Sequence, residues 1–350
     1  MIKVLIVDDS ATETALLKSL IDAEENFEVI ACAKNGKEAV ELNALLKPDL
    51  ITMDIQMPIM NGYEAIKIIM RQHPTPIVVI SSKVNDDLLN TTFMALEAGA
   101  ISVLEKPHNI SSPAFKNEKR KIIDTLRSMA EIRVVKHRFN TKIQKKIITH
   151  KLPAGGLSDF EVVAIGSSVG GPQALNSILM KLPIDFPLPI VIVQHMTQGF
   201  IKGFTKWLNA NTELTIKNPE NNEVLTKGYV YLAPDGHHLE IARSKQHLIA
   251  KLVKGKPVTG FCPSVTSLFQ SVAKVCGKNA IGILLTGMGS DGAKGLLDLK
   301  HAHAHTIIQD EESAVVFGMA GVAQSLGAVD KVVELELMAD YLVKITTHRK

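Results

Sequence analysis

The chain has 350 residues, 46% of them hydrophobic and 21% charged, with three cysteines and a formal net charge of +3. That balance excludes a mostly disordered chain, a collagen-like one and a disulfide-rich or Cys-ligated zinc scaffold, and the length suits two domains of ordinary size. The charge is uneven: net −7 over residues 1–115, +9 over 116–151 and +1 over 152–350, which reads as an acidic domain, a basic linker and a near-neutral domain.

In chain order, short apolar runs at residues 2–7, 27–33, 49–53, 77–80 and 101–104 predict strands. Helical spacing appears at 11–23, 36–46 and 87–98, the last stopping at Gly99 as a C′ glycine. The third strand closes in a Met57-Pro58 turn. Strands separated by helices imply βαβ units and a parallel sheet covered on both faces. A Lys/Arg-rich stretch with interspersed Ile, Leu and Val follows and ends in Pro153-Ala154-Gly155-Gly156. It reads as a solvated helical linker, with a nucleic-acid or acidic-partner surface as the sharper alternative; packing against the acidic first domain also makes electrostatic sense. Beyond it, strands are predicted at 162–165, 189–193, 281–285 and 306–309, and helices at 170–182, 199–208, 264–275 and 292–299. Residues 229–232 and 239–242 read as a small hairpin or edge pair. The whole predicts two doubly wound parallel α/β domains: a first domain at 1–110, a linker at 111–158 and a second domain at 159–350. The first apolar stretch is cut at once by Asp8 and Asp9, and no apolar run approaches the roughly 18 residues of a membrane span, so a cytoplasmic, reducing location is expected.

Asp8 and Asp9 directly follow the first predicted strand, and Asp54 directly follows the third. In a doubly wound sheet the carboxyl ends of strands near the switch point gather ligands, so three carboxylates would share one crevice. They repel one another unless a cation sits among them, and an all-oxygen set suits Mg²⁺. Ser81 after the fourth strand and Lys106 after the fifth add a hydroxyl and a positive charge; an aspartate beside Mg²⁺ and Lys can attack a phosphoryl group. Over residues 1–108 this set (VDDS, MDIQMP, Gly62, ISS at Ser81, KP at Lys106) resembles the receiver domain of two-component response regulators. The resemblance implies a flavodoxin-like fold and phosphorylation of Asp54 by a histidine kinase. It also implies Mg²⁺ held by Asp9 and Asp54, with Asp8 in support and the Gln56 carbonyl completing the site, and Ser81 and Lys106 as the residues that report phosphorylation.

In the last segment, the strand at 162–165 runs into Gly166-Ser167-Ser168-Val169-Gly170-Gly171. The stretch lacks the Lys-Ser/Thr ending of a P-loop and is not GxGxxG, which argues against nucleotide binding. The strand at 189–193 leads to Gln194-His195-Met196, and the strand at 281–285 to Thr286-Gly287-Met288-Gly289-Ser290-Asp291. Alone, the histidine reads as structural and the aspartate as a helix cap. Together, an alcohol, an imidazole and a carboxylate at neighbouring strand ends fit nucleophilic catalysis: Ser168 needs a base, His195, and the base needs an orienting carboxylate, Asp291. Backbone N–H groups of Val169 or Met288 would form an oxyanion hole. The order Ser, His, Asp is not that of an α/β-hydrolase.

From about Phe160 onward, IGSSVGGPQAL, IVIVQHM, YLAPDGHHLE, LLTGMGSDGAKGL and QDEESAVVFGM resemble the catalytic domain of the chemotaxis protein-glutamate methylesterase family, CheB, whose fold is Rossmann-like. The resemblance places the nucleophile on the second serine, Ser168, the histidine on His195 and the aspartate on Asp291. It implies demethylation of glutamate methyl esters on chemoreceptors with methanol release, and deamidation of receptor glutamines. The receiver would restrain the catalytic rim until Asp54 is phosphorylated. Departures are Ser167 and Val169 in place of the usual Ala and Thr, residues 260–266 (GFCPSVT) in place of a more polar, Arg- and Asp-containing loop, His303 in place of Gly, and Ala320 in place of Pro. An alternative reading is a response regulator with a nucleic-acid or protein-binding output through the basic linker. The near-neutral second domain and the lack of a helix-turn-helix pattern argue against it, so no nucleic-acid partner and no membrane insertion are expected. His301, His303 and His305 alternate and would share a strand face, a possible metal site, although the reading favours surface histidines. Cys262, Cys276, Met196 and Met288 read as packing residues.

Overall fold

The predicted strands of the first half are mostly apolar runs, with β3 and β4 buried throughout, and the computed structural model sets these runs side by side. The structure describes residues 1–81, 93–96, 98–107, 115–130, 132 and 159–347. The chain divides into two units, Met1–Gln144 and Lys145–Lys350.

In the first unit β1 (Ile2–Val7), β2 (Phe27–Ala33), β3 (Leu50–Met53), β4 (Ile77–Ser81) and β5 (Ser102–Glu105) form a parallel sheet of order β2-β1-β3-β4-β5. This is the flavodoxin-like order, whose switch point lies between β1 and β3. Helices α1 (Ala11–Asp22), α2 (Gly36–Leu46) and α3 (Gly62–Gln72) each begin on the same device. Ser10, Asn35 and Asn61 accept the backbone N–H of Glu13, Glu38 and Glu64 three residues on. α3 is not among the predicted helices, although Asn61 and Glu64 spell its start and Ala65, Ile66, Ile69 and Met70 line its buried face. Gly62 is obligatory there: a Cβ would sit 2.1 Å from the Asp54 carbonyl oxygen. Of the helix predicted at 87–98, residues 93–96 are helical and Gly99 takes φ 110, as a C′ glycine should; its other residues but Ala98, in the closing turn, lie outside the described ones.

The basic stretch is not simply solvated. Residues Phe115–Ala130 form α4, with Ile122, Ile123, Leu126 and Met129 buried at helical spacing. Lys119 and Arg127 meet Glu24 at 3.3 and 3.4 Å, so the basic helix rests on the acidic unit it follows. The nucleic-acid alternative loses the use of this face, and residues 133–158 lie outside the described ones.

The second unit is built on β6 (Val162–Ser167), β7 (Ile190–Gln194), β8 (Thr215–Lys217), β9 (Tyr229–Leu232), β12 (Ala280–Leu284), β13 (His305–Gln309) and β14 (Lys331–Val333). They form one parallel sheet of order β14-β13-β12-β6-β7-β9-β8. The chain leaves β6 toward β7 and later returns to pair β12 on its other side, which makes the β6/β12 boundary the switch point. Helices α5 (Gly171–Leu179), α6 (Ile201–Asn211), α7 (Val265–Cys276), α8 (Ala293–His301), α9 (Met319–Ser325) and α10 (Met338–Thr347) complete the unit. The expected pairing of residues 229–232 with 239–242 is wrong. β9 joins the main sheet, while β10 (His238–Ser244) pairs antiparallel with β11 (His247–Val253) across Lys245 at φ 54. The two-residue turn at 245–246 fixes that hairpin, because a nearby antiparallel partner closes a shorter loop.

The alternating histidines do not share a face. His301 ends α8, His303 sits at φ 64 and His305 opens β13 with Nε2 2.8 Å from the Tyr341 hydroxyl. Among the described residues the one carboxylate, His or Cys cluster with metal-binding spacing is Asp8, Asp9 and Asp54. In the left-handed backbone at His303 a Cβ costs about 1–2 kcal/mol. His303→Gly should raise stability by about 0.5–1 kcal/mol after the entropy of glycine is counted, read from urea unfolding, with turnover unchanged.

Candidate active site

Ser168 directly follows β6, His195 directly follows β7, and Asp291 lies in the loop after β12, so all three stand at the carboxyl ends of strands flanking the switch point. Hydrogen bonds stitch these ends together. Ser168 N–H donates to Thr286 O at 3.0 Å and His195 N–H to Ser167 O at 3.0 Å. The Gln194 amide donates to the carbonyls of Ser168 and His195 at 2.7 and 2.8 Å. The loops can approach because Gly287 has no side chain: a Cβ there would lie 2.8 Å from the Ser168 Cβ. The two serines are not equivalent. Ser167 is fully buried and its hydroxyl donates to Gln194 Oε1 at 2.6 Å, whereas no hydrogen bond among the described residues engages the Ser168 hydroxyl.

Asp291 is buried inside a cage of donors. Oδ1 accepts from the Thr259 hydroxyl (2.6 Å), the Ser264 hydroxyl (2.8 Å) and Thr266 N–H (3.1 Å); Oδ2 accepts from Val265 N–H (2.8 Å) and His195 Nε2 (2.9 Å). Burial alone would push this carboxyl up, but the bonds from His195, Thr259 and Thr266 outweigh it and hold the group well below the usual carboxylate range. The ionised carboxylate can only accept, so the imidazole carries its proton on Nε2 and presents a lone pair at Nδ1. That Nδ1 is buried and has no partner among the described residues. Buried polar atoms are rarely left this way, and here the orphan is the atom that a proton from a nucleophile would reach. The predicted row is thus closed between His195 and Asp291 and open between His195 and Ser168. The Phe261 ring lies flat on the imidazole, with centroids 3.8 Å apart and planes 3° from parallel.

The expected oxyanion donors are free. Gly287 N–H is taken by Val316 O at 2.9 Å, while no hydrogen bond among the described residues uses the N–H of Val169 or Met288. Thr286 ties the two loops by donating its hydroxyl to Val169 O at 2.9 Å and accepting Val316 N–H at 2.9 Å. Thr259, Phe261, Ser264 and Thr266 were not picked out from the sequence as site residues. The PSV stretch, Pro263-Ser264-Val265, was the one signal that could have pointed to them.

In the first unit, ligand atoms of Asp8, Asp9 and Asp54 lie within 4.8 Å of one another. Lys106 Nζ stands 2.9 Å from Asp8 Oδ2 and 3.1 Å from Asp54 Oδ2, and also pairs with Glu13. Burial pushes Asp54 up to about 6 against the pull of Lys106, and the hard oxygen donors of the three aspartates fit Mg²⁺. Ser81 is buried at the end of β4. Gln56, exposed in the loop after β3, has no contact in the structure that bears on its expected role.

Residues 163–342 match the CheB methylesterase family and residues 4–112 match the response regulator receiver domain. The chain is 44% identical over 94% of its length, and 94% of the relative's, to protein-glutamate methylesterase/protein-glutamine glutaminase 4 of Geobacter metallireducens. It is 40% identical over its full length, and 98% of the relative's, to the protein of that name from Nitrosospira multiformis. Among solved structures, the Thermotoga maritima CheB methylesterase catalytic domain superposes with a TM-score of 0.52 at 35% identity, covering 53% of this chain and 98% of that one.

Proposed function

Because the chain belongs to the CheB methylesterase family and carries a receiver domain before its catalytic unit, we propose that it is a phosphorylation-controlled serine hydrolase acting on chemoreceptors. It cleaves γ-glutamyl methyl esters with release of methanol and deamidates receptor glutamines. The observation that carries this reading is the ionised Asp291 holding His195 by Nε2, which leaves Nδ1 without a partner among the described residues to serve as the base for Ser168.

Ser168 Oγ adds to the ester carbonyl while its proton passes to His195 Nδ1. The N–H groups of Val169 and Met288 take the charge that gathers on the carbonyl oxygen. The C–O bond to methanol then breaks, and His195 returns the proton to the departing oxygen. Water attacks the acyl-enzyme with His195 again taking a proton, and the second collapse frees glutamate and Ser168. With glutamine the leaving group is ammonia, and the remaining steps are the same.

Asp54 is the phosphoacceptor, charged by a histidine kinase in the cytoplasm. Mg²⁺, bound by Asp9 and Asp54 with Asp8 in support and the Gln56 carbonyl as a further ligand, would neutralise charge on the transferring phosphoryl oxygens. Lys106 pairs with the phosphorylated aspartate, and the Ser81 hydroxyl reports it. The phosphate acts by favouring the active arrangement over the inactive one, because equal affinity for both would shift nothing. The test is methanol release from methylated receptor fragments with and without a small phosphodonor. Wild type should be stimulated by the donor. Asp54→Asn should keep basal turnover and lose the stimulation, and chelation of Mg²⁺ should do the same to wild type. Stimulation that survives in Asp54→Asn would reject the assignment.

A further inference from the structure

We propose that Phe261 is a positioning residue for His195, holding the imidazole by its face and favouring the cation that forms as the serine proton arrives. This rests on the serine hydrolase reading of the site. The two rings are parallel within 3° at 3.8 Å between centroids. Stacked rings of this kind hold one another by their faces. A cation over a phenyl face is attracted more strongly, because the face carries the negative part of the ring quadrupole. Face-on contact with the phenyl ring therefore strengthens when the imidazole becomes imidazolium, as the barrier is climbed. Burial does not account for it: the Phe261 side chain is 37% exposed and belongs to no core cluster.

The backbone that carries this ring is also built for the site. Val258 and Phe261 exchange both N–H···O bonds at 3.0 Å, closing a two-residue turn whose central residues are left-handed, Thr259 at φ 51 and Gly260 at φ 89. Gly260 accepts that conformation freely, but a β-branched threonine does not. Thr259 is held there by its hydroxyl on Asp291 Oδ1 at 2.6 Å. One tight turn thus grips both members of the relay, the carboxylate through Thr259 and the imidazole through Phe261. Local strain of this kind collects at working sites.

The test is steady-state methanol release by the full chain, read as kcat and KM, with thermal midpoints alongside. Phe261→Leu, which keeps an apolar side chain without the π face, should lower kcat about five- to tenfold, with KM within about twofold and the thermal midpoint unmoved. Phe261→Tyr should restore kcat. Pentafluorophenylalanine at position 261, a ring of similar shape with its face polarity reversed, should be as slow as Phe261→Leu. Wild-type kcat in either the Leu or the fluorinated variant overturns the proposal. An effect confined to KM, which would make Phe261 a substrate contact, overturns it too, as does a fall in thermal midpoint that matches the loss of activity. Ser168→Ala is run beside them. Turnover there would reject the hydrolase reading itself, whereas an inactive Ser168→Ala with a fully active Phe261→Leu rejects only the role of Phe261.

Discussion

Ser168→Ala should reduce methanol release by roughly 10⁴–10⁶-fold, because it removes the atom that forms the acyl bond and leaves only the oxyanion donors and substrate binding. The expectation is specific to the second serine. The Ser167 hydroxyl is buried and spent on Gln194 Oε1, and that amide in turn holds the carbonyls of Ser168 and His195. Ser167→Ala should therefore cost about 1–3 kcal/mol of stability through an unpaired amide oxygen while kcat stays within about tenfold. A circular dichroism spectrum matching wild type would show that the silent Ser168 variant is folded. The hydroxyl is small, and its loss breaks no internal hydrogen bond among the described residues, so the fold should hold. Turnover at the wild-type rate in Ser168→Ala would remove the mechanism, whatever the rest of the site looks like.

Much of the fold was legible because parallel strands buried on both faces must be continuous apolar runs. β1, β2 and β9 appear in the sequence with the bounds they have in the structure. The three site residues were legible for a related reason: they follow strands directly or within a glycine-rich loop, and sheet topology brings strand ends together without any long-range detail. Where the signal was weaker, the reading lapsed. α3 was hidden by the turn residues ahead of it, although its cap is spelled out. β8 and β14 are three residues long, too short for any period to show. β10 was given the wrong partner because strands carry their side-chain alternation but not their pairing. The cage around Asp291 was out of reach for a different reason. Apart from His195, its donors come from 25 to 32 positions away on a loop and a helix start, and nothing local marks Thr259 or Thr266 as facing a carboxylate. The open gap between Ser168 and His195 was equally invisible, since it depends on side-chain geometry that a strand-end pattern does not carry.

Asp291→Asn separates the two duties of that cage. The carboxylate receives five donors: two hydroxyls, two backbone N–H groups and the His195 ring. An amide offers one oxygen and puts an NH₂ where the other stood. If the NH₂ faces the ring, His195 must turn its lone pair to Nε2 and carry the proton on Nδ1, the atom that has to receive the serine proton. The base is then blocked by its own tautomer, and kcat should fall by roughly 10⁴-fold with KM nearly unchanged. If the NH₂ turns the other way it meets Thr266 N–H, and a buried donor is left without an acceptor at a cost of about 1–3 kcal/mol. Either orientation destabilises, so urea unfolding at neutral pH should show the loss together with the kinetic defect. The pH dependence tells the two causes apart. Because the native carboxyl is held below its unfolded value of about 3.9, its contribution is complete above that pH and fades as the solution is acidified through it. The stability gap between wild type and Asp291→Asn should therefore be constant from pH 7 to about 5 and narrow below about 4. A gap that stays constant to pH 3 would mean that the ionised cage contributes nothing to the fold, and that the loss comes only from the misplaced amide.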